Sequence, residues 1–329
     1  MDAINSCSMG QTLGSNMLSS SVTVLMAVYD PPMAMLEQAM DSIQSQTFAD
    51  FEFLIIDDGS RDPIVRGFLS QRAKCDARIR IATEPHRGLT ASLNRGLALA
   101  KGMRIARQDA DDWSEPTRLE RQTDYFRAHP KTTVLGTGAW THQQDGRPLW
   151  PLRLPTKHAD ILRRLRRGNP FVHGSVMFPR AAAVSSGGYR EDFRCSQDYD
   201  FLWRLAERGN AANLAEPLYH YRYTGGSVSA GRAEEQARAH RAIQRLAAAR
   251  QRSEPEDVAR ALAEAGNARP LGALLKQADH LMLAGNYRQA WTAYSKLLGS
   301  HPQNLLAWVK LARLGVFCTL PRLRRACFR

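Results

Sequence analysis

Apolar runs of strand length alternate with amphipathic stretches along the first two thirds of the chain. Val22–Val28 and Phe51–Ile56 are apolar at nearly every position, and shorter runs follow at Ile79–Ile81 and Met103–Arg107. Between these runs, apolar residues recur at helical spacing, as they do in Gly88–Ala100. Repeated alternation of strand and helix predicts an α/β fold with a mostly parallel sheet and helices on both faces.

The last third of the chain has helical periodicity throughout. Ala233–Gln251 is rich in good helix formers, and Ser253–Glu256 has the pattern of a capping box, which predicts the start of a second helix. Leu274 and Trp308 are 34 residues apart, which is the period of a tetratricopeptide repeat. One and a third repeats are too few for a free solenoid, so we expect a helical hairpin that packs on the rest of the chain or binds a protein partner.

These patterns divide the chain into three parts. Residues 1–20 are polar and serine-rich, without the basic start and apolar centre of a secretory signal, and are predicted to be a flexible tail. Residues 21–231 form the α/β domain, and residues 232–329 form the helical region with a basic C-terminal segment. No apolar run approaches the ~20 residues that a transmembrane helix needs. Five scattered cysteines indicate reduced thiols and a cytoplasmic location.

The positive charge is concentrated in the helical region. The formal net charge is +13, and residues 232–329 contain 17 Lys and Arg against 7 Asp and Glu. These basic residues lie in alanine-rich sequence without interleaved aromatics, which argues against specific nucleic-acid binding. An anionic membrane surface is the expected partner, because residues 311–329 combine apolar side chains with arginines. The protein is therefore expected to lie peripherally on the inner face of the cell membrane. The alternative is that these basic residues form only a solvated helical surface.

Two acidic clusters follow predicted strands. Asp109–Asp112 contains three carboxylates directly after a run in which Met103 and Ile105 alternate with polar residues. Mg²⁺ commonly binds one or two carboxylates together with substrate phosphates. Taken alone, the cluster also fits an acidic turn before a helix with Ser114 as its N-cap. The pair Asp57–Asp58 follows another strand, and ligands of such sheets bind beyond the carboxyl ends of strands. Together the clusters predict a nucleotide–metal site.

Several short motifs occur in a fixed order, each weak alone but specific in combination. The motifs are Ala27-Val28-Tyr29, Asp57-Asp58-Gly59-Ser60, Asn94-Arg95-Gly96, Asp109-Ala110-Asp111-Asp112, Gln197-Asp198-Tyr199-Asp200, and Tyr221-Arg222 followed by Ser227-Val228-Ser229. Their order resembles that of a bacterial family 2 glycosyltransferase with the GT-A fold, over roughly Ser21–Ser229.

The resemblance implies a site for a nucleoside-diphosphate sugar. Asp58 matches the residue that accepts hydrogen bonds from the nucleotide base, which suits the imide N–H of uracil, and Tyr29 lies in a donor-binding motif. Asp111 is the expected ligand of Mg²⁺ or Mn²⁺. Asp109 is expected at the ribose or in the metal shell.

Two arginines are further expected contacts of the donor. Arg87 is a candidate contact of the diphosphate, although a solvent-facing role fits it equally. Arg222 is a candidate anion partner next to a loop that closes over the diphosphate. Thr224 stands where many relatives have a histidine, so a histidine contact is absent there.

The resemblance also implies a catalytic base. Asp198 matches the family's base, and Gln197 replaces the usual glutamate beside it, which removes a charge. Asp200 has a structural explanation as an acid in the first turn of a helix. His173, in the acceptor-side segment, is either a contact of the sugar or acceptor, or an ordinary hydrogen-bonded histidine.

The sequence therefore predicts an inverting, metal-dependent glycosyltransferase. The expected donor is a UDP-sugar, and the expected acceptor is a cell-envelope glycan or a lipid-linked oligosaccharide. A sugar nucleotidyltransferase is one alternative. That class has a glycine-rich first loop, whereas this chain has Ala27–Pro32 at that position. An inactive interaction scaffold is the other alternative, and the four acids Asp58, Asp109, Asp111 and Asp198 argue against it.

Overall fold

A computed structural model describes residues 21–224, 233–266 and 271–319. The chain divides into two compact units, the first being Met1–Ala128 with Met177–Gly188 and the second His129–Val176 with Tyr189–Arg329. The predicted N-terminal tail, the predicted loop around Ser227–Ser229 and the last ten residues of the basic segment lie outside the described residues. The domain boundary expected at 231/232 stays a prediction.

The strands, in chain order, are β1 (Val22–Val28), β2 (Phe51–Asp57), β3 (Ile79–Thr83), β4 (Arg104–Gln108), β5 (Trp113–Ser114), β6 (Thr132–His142), β7 (Pro148–Leu152), β8 (Met177–Pro179) and β9 (Asn210–Arg222). The helices are α1 (Met33–Gln44), α2 (Pro63–Cys75), α3 (Leu89–Leu99), α4 (Arg118–Ala128), α5 (His158–Leu165), α6 (Arg180–Ser185), α7 (Gln197–Ala206), α8 (Ala233–Gln251), α9 (Val258–Glu264), α10 (Leu271–Leu283), α11 (Tyr287–Ser300) and α12 (Leu305–Thr319).

The first unit contains the predicted parallel sheet. Its strands lie in the order β3-β2-β1-β4, all parallel, and β8 adds to β4 in the antiparallel direction. β1 and β2 are buried along almost their whole length, as expected of strands covered on both faces. α3 packs against β1 and β2 through Gly96, where a Cβ would lie 2.3 Å from a methyl carbon of Leu25.

Two local expectations around β4 were wrong. Met103 precedes the strand and is 63% exposed, whereas Ile105, Ala106 and Arg107 are all buried. Consecutive burial shows that both faces of β4 are covered, so its residues do not alternate between buried and exposed. Ser114 belongs to β5 and does not cap a helix, because α4 begins at Arg118.

The second unit combines strands with the helical region. β6 pairs with β9 in parallel and with β7 in the antiparallel direction. α9 begins after Asp257, whose carboxylate accepts the N–H of Arg260 at 2.9 Å, so the capping box predicted at Ser253–Glu256 was wrong. Gly266, with φ of +66°, follows the end of α9 as expected.

The predicted helical hairpin is present. α10, α11 and α12 enclose a core of their own, and the hairpin contacts the rest of its unit, where Gln143 donates to the Tyr287 hydroxyl at 3.2 Å. No described helix is long and apolar enough to cross a membrane. The core consists of Ala278, Leu281, Ala290, Tyr294, Leu297, Leu298, Ala307, Leu311 and Leu314.

Candidate active site

The turn after β2 is fixed by its two aspartates. Asp57 accepts the N–H of Ser60 at 2.9 Å, a hydrogen bond that shapes the turn. Asp58 is 4% exposed and accepts the backbone N–H groups of Arg87 at 2.8 Å and Gly88 at 2.9 Å. Asp58 thus holds the segment that leads into α3.

His86 completes this site, and the sequence patterns gave no sign of it. Its Nδ1 lies 2.9 Å from Oδ2 of Asp58, and its ring stacks on Tyr29 with centroids 3.9 Å apart. A carboxylate has about four acceptor positions, and Arg87, Gly88 and His86 occupy three of those of Asp58. Tyr29 is 39% exposed, and the Arg87 side chain is exposed as well. The site therefore presents an exposed aromatic pair with a buried carboxylate behind it.

The acidic segment Asp109–Asp112 is held by a buried glutamine that the sequence reading did not single out. Nε2 of Gln108 donates to the backbone carbonyls of Asp109 at 3.1 Å and Asp112 at 3.0 Å. Oε1 of Gln108 accepts the hydroxyl of Ser114 at 2.7 Å. Both ends of the acidic turn are therefore tied to one side chain that is fully buried.

Two fully buried arginines lie behind the same segment. Arg107 donates to the carbonyls of Leu25 at 2.7 Å and Gln108 at 3.0 Å, and it forms an ion pair with Asp109 at 2.5 Å. Arg118 donates to the carbonyl of Arg107 at 2.9 Å. This internal countercharge fixes the Asp109 carboxylate, whereas Asp111 is part-exposed and Asp112 is buried. The metal-binding role expected of Asp111 stays a prediction.

In the second unit, Asp198 lies in the first turn of α7. Its Oδ2 accepts the side-chain amide of Asn169 at 2.8 Å, and Oδ1 of Asn169 accepts the N–H of Phe171 at 3.1 Å. No other donor to the Asp198 carboxylate occurs among the described residues. The amide therefore orients Asp198 and leaves its second oxygen available.

Two side chains from the helical region act electrostatically on Asp198. The ring of His240 on α8 lies against Tyr199, with centroids 4.7 Å apart. Burial, and to a smaller extent the charge of Lys276, lower the pKa of His240 to about 4, although the charge of Asp198 acts in the opposite direction. Desolvation lowers the pKa of Lys276 on α10, although the residue as a whole is exposed, and Asp198 raises it. His240 is thus neutral at pH 7.

Asp200, two residues after Asp198, has a purely structural environment. It is fully buried and forms ion pairs with Arg190 at 3.2 Å and Arg204 at 2.7 Å. Arg190 also pairs with Glu256 at 2.8 Å, so the network joins α7 to the segment before α9. Gln197 is buried, and its Oε1 has no hydrogen-bond partner within the described part of the chain.

His173 and Arg222 are each held by neighbours within the second unit. Nε2 of His173 lies 2.9 Å from the hydroxyl of Tyr189. Arg222 ends β9, is 5% exposed and lies opposite His142 in the ladder. Burial lowers the pKa of His142, its bond to the Gly146 carbonyl raises it, and the charges of His220 and Arg222 lower it. The roles expected of His173 and Arg222 toward a ligand stay predictions.

Comparison with known proteins identifies the family. A family model described as glycosyl transferase family 2 matches residues 23–187, about half of the chain. The chain therefore belongs to glycosyl transferase family 2 and is a glycosyltransferase, as its motifs predicted.

Curated relatives agree with this assignment. The O-antigen biosynthesis glycosyltransferase WbnJ of Escherichia coli is 34% identical over 206 residues, which cover 61% of this chain and 79% of that protein. The O-antigen biosynthesis protein RfbC of Myxococcus xanthus is 30% identical over 213 residues, which cover 64% of this chain but 16% of that protein. The chain thus spans less than a fifth of RfbC.

Solved structures confirm the GT-A fold. TarS of S. aureus in complex with UDP-GlcNAc has a TM-score of 0.58 at 17% identity, covering 84% of this chain and 83% of that one. The mannosyltransferase PcManGT from Pyrobaculum calidifontis, in complex with GDP-Man and Mn²⁺, has a TM-score of 0.54 at 18% identity, covering 94% and 83%.

Proposed function

We propose that this glycosyltransferase inverts the anomeric carbon of a nucleoside-diphosphate sugar, with a divalent cation on the donor and an aspartate base for the acceptor. A UDP-sugar is the proposed donor. The observation that carries the proposal is the acidic segment Asp109–Asp112, which Gln108 and Arg107 hold in place from beneath. A loop fixed by buried polar groups binds its ligand without first having to order itself.

The acidic segment fits Mg²⁺ or Mn²⁺. Among the described residues, no group of three or more His, Cys, Asp or Glu is placed to hold a metal ion. Mg²⁺ does not need such a group, since one or two carboxylates and the phosphates of a nucleotide suffice. Asp111 would bind the cation, and Asp109 would contribute a bond to ribose or to water on the cation. When bound, the cation neutralises the diphosphate and makes it a better leaving group.

Asp198 is the proposed general base. The amide of Asn169 holds one carboxylate oxygen, and the other oxygen takes the proton of the acceptor hydroxyl as that hydroxyl attacks the anomeric carbon. Attack opposite the leaving nucleotide inverts the configuration in one step. A second carboxylate acting as nucleophile is therefore not required, unlike in retaining glycosidases.

The nucleotide is proposed to bind at the exposed pair of Tyr29 and His86. An aromatic face suits stacking of a base, and Asp58 retains one acceptor position for an imide N–H. Arg87 and Arg222 are the proposed phosphate contacts. The nucleotide-sugar ligands named for the TarS and PcManGT structures support a donor of this chemical class.

A screen of donors tests the proposal. UDP-, GDP-, dTDP- and CMP-sugars are compared by thermal shift, with and without Mn²⁺, and by release of the free nucleotide. A donor at a hundredfold excess over its Kd stabilises the fold by about 2.7 kcal/mol. We expect a UDP-sugar to give the largest Mn²⁺-dependent shift and to release UDP. Full activity in EDTA would contradict the role of the cation.

The acceptor is proposed to be a cell-envelope glycan or a lipid-linked oligosaccharide. The O-antigen names of WbnJ and RfbC support a task in envelope polysaccharide synthesis. With such an acceptor, we propose that the protein lies on the inner face of the cell membrane. α12 supports it, because Leu305, Trp308 and Val309 recur at i, i+3 and i+4 and are 75%, 51% and 41% exposed.

Vesicle flotation tests the membrane contact. Full-length protein should bind anionic vesicles at low salt and release them at high salt, since each basic residue near the surface contributes about 1 kcal/mol. Leu305→Ser with Trp308→Ser should weaken binding and leave donor hydrolysis unchanged. Leu311 belongs to the hairpin core, so these exposed positions are safer to change. If the full-length protein does not bind anionic vesicles, a protein partner for the hairpin becomes the favoured explanation.

A further inference from the structure

Exposed arginines directly precede the segment that holds the proposed base. Arg163, Arg164, Arg166 and Arg167 are all exposed and directly precede Gly168-Asn169, whose amide binds Asp198. Arg163 pairs with Asp160, whereas the other three have no carboxylate partner among the described residues. We call Arg164, Arg166, Arg167 and Lys276 the cationic cluster.

The helical region brings Lys276 to this segment through a connected set of contacts. Gln236, His240 and Gln244 recur every four residues and so share one face of α8. Gln236 accepts from Nζ of Lys276 at 3.2 Å, and Gln244 donates to the carbonyl of Arg166 at 3.1 Å. His240, between them, lies against Tyr199, the residue after Asp198. One helix face therefore links Lys276, the arginine segment and the base.

Lys276 retains donors for a ligand. An ammonium has three N–H donors, and Gln236 accepts the one bond recorded for Lys276 within the described part of the chain. Burial lowers the pKa of Lys276, and the negative charge of Asp198 partly offsets that effect by favouring the charged form. His240 is neutral and does not compete as a cation.

We propose that the cationic cluster selects an acceptor that carries an anionic group, phosphate or carboxylate, near its reacting hydroxyl. A negatively charged acceptor approaching Asp198 is repelled by the base itself, and cations beside the base offset that repulsion. Lys276 makes the decisive contact, because Gln236, which accepts its ammonium, lies one helical turn from His240, whose ring lies against Tyr199 beside Asp198. This inference rests on the proposed role of Asp198 and adds the chemical class of the acceptor.

Three alkyl glycosides that differ in one group serve as probes: octyl glucoside, octyl glucuronide and octyl glucoside 6-phosphate. Release of nucleoside diphosphate is measured above the hydrolysis seen without acceptor. We expect kcat/KM about tenfold higher for an anionic probe than for the neutral one, in line with a charge-assisted hydrogen bond. High salt should reduce that preference. The better of the two anionic probes identifies phosphate or carboxylate as the preferred group.

Variants assign the preference to Lys276. Lys276→Gln should lower kcat/KM about tenfold more for the anionic probes than for the neutral probe, while Lys276→Arg retains the preference. Lys296→Gln, an exposed lysine on α11, is the matched control and should behave as wild type. Arg164→Gln with Arg167→Gln should give a smaller loss of the same kind.

Specific outcomes overturn the proposal. Equal use of all probes by the wild type, or stimulation by none of them, contradicts it. Equal loss for neutral and anionic probes in Lys276→Gln also contradicts it, because Lys276 then acts on Asp198 and not on the acceptor. Absence of any metal-dependent release of nucleoside diphosphate by the wild type, without acceptor, would instead contradict the proposed function.

Discussion

The two acidic regions of this glycosyltransferase hold their carboxylates in different ways. In the first unit, Asp109 is paired with the fully buried Arg107, and Gln108 ties down both ends of its turn. In the second unit, Asp198 accepts one bond from a neutral amide, that of Asn169, and charged groups act on it only at longer range.

In the proposed function, this difference separates donor binding from proton transfer. A carboxylate locked against a buried guanidinium is fixed in position, which suits a loop that holds a cation and a diphosphate. A carboxylate with one oriented oxygen and one available oxygen suits a general base, because proton transfer needs a site within hydrogen-bond reach. We therefore expect changes in the first region to affect donor binding and changes in the second to affect turnover.

The largest effect is expected at Asp111. Asp111→Asn removes a charged oxygen ligand, so transfer should fall by ~10³-fold or more, since a bound cation supplies several kcal/mol of charge stabilisation. The Mn²⁺-dependent part of donor binding should disappear in calorimetry. Asp124→Asn, an exposed acid on α4, is the control. Unchanged Mn²⁺ dependence in the Asp111 variant would show that the metal binds elsewhere.

Asp198→Asn should reduce kcat by ~10²–10⁴-fold, the usual contribution of a general base. The affinity for the donor should stay within about twofold of the wild-type value, because in our proposal Asp198 contacts only the acceptor. Asp192→Asn, an exposed acid nearby, is the control. A collapse of donor affinity with intact turnover of bound donor would make Asp198 a binding residue.

A substitution of Asp200 tests whether the two acids on α7 have different roles, with Asp198 in the reaction and Asp200 in stability. Asp200→Asn leaves the buried Arg204 without this carboxylate, so the free energy of unfolding should fall by about 3–5 kcal/mol. Urea unfolding measures that loss, with Asp160→Asn as the exposed control. The activity per folded molecule should remain near wild type. If the variant is stable but inactive, Asp200 takes part in the reaction.

The smallest effect is expected at Asn169. Asn169→Ala removes one neutral hydrogen bond, so kcat should fall about two- to tenfold at constant donor affinity. Asn169→Asp places a second carboxylate beside Asp198, and like charges raise the pKa of the pair. The acidic limb of the pH–rate profile should therefore move to higher pH. An unmoved profile would show that Asn169 is merely structural.

Local periodicity was sufficient for much of the fold. The apolar runs at β1 and β2 were recognisable because strands covered on both faces are apolar at nearly every position. The helical hairpin was recognisable from its 34-residue spacing. Helix starts were less predictable: the capping-box pattern at Ser253–Glu256 competed with Asp257, which caps α9 in the structure.

Residue chemistry and motif order were sufficient to predict the acids of the candidate site. Only the tertiary structure showed which side chains contact them. Arg107 resembled an ordinary strand residue, and only the sheet buries it where its guanidinium meets Asp109. Asn169 lies 29 residues before Asp198, so no local pattern joins them. Lys276 reaches the neighbourhood of the base only because α10 packs on α8. Such pairings depend on long-range packing, which brings together side chains that no sequence spacing relates.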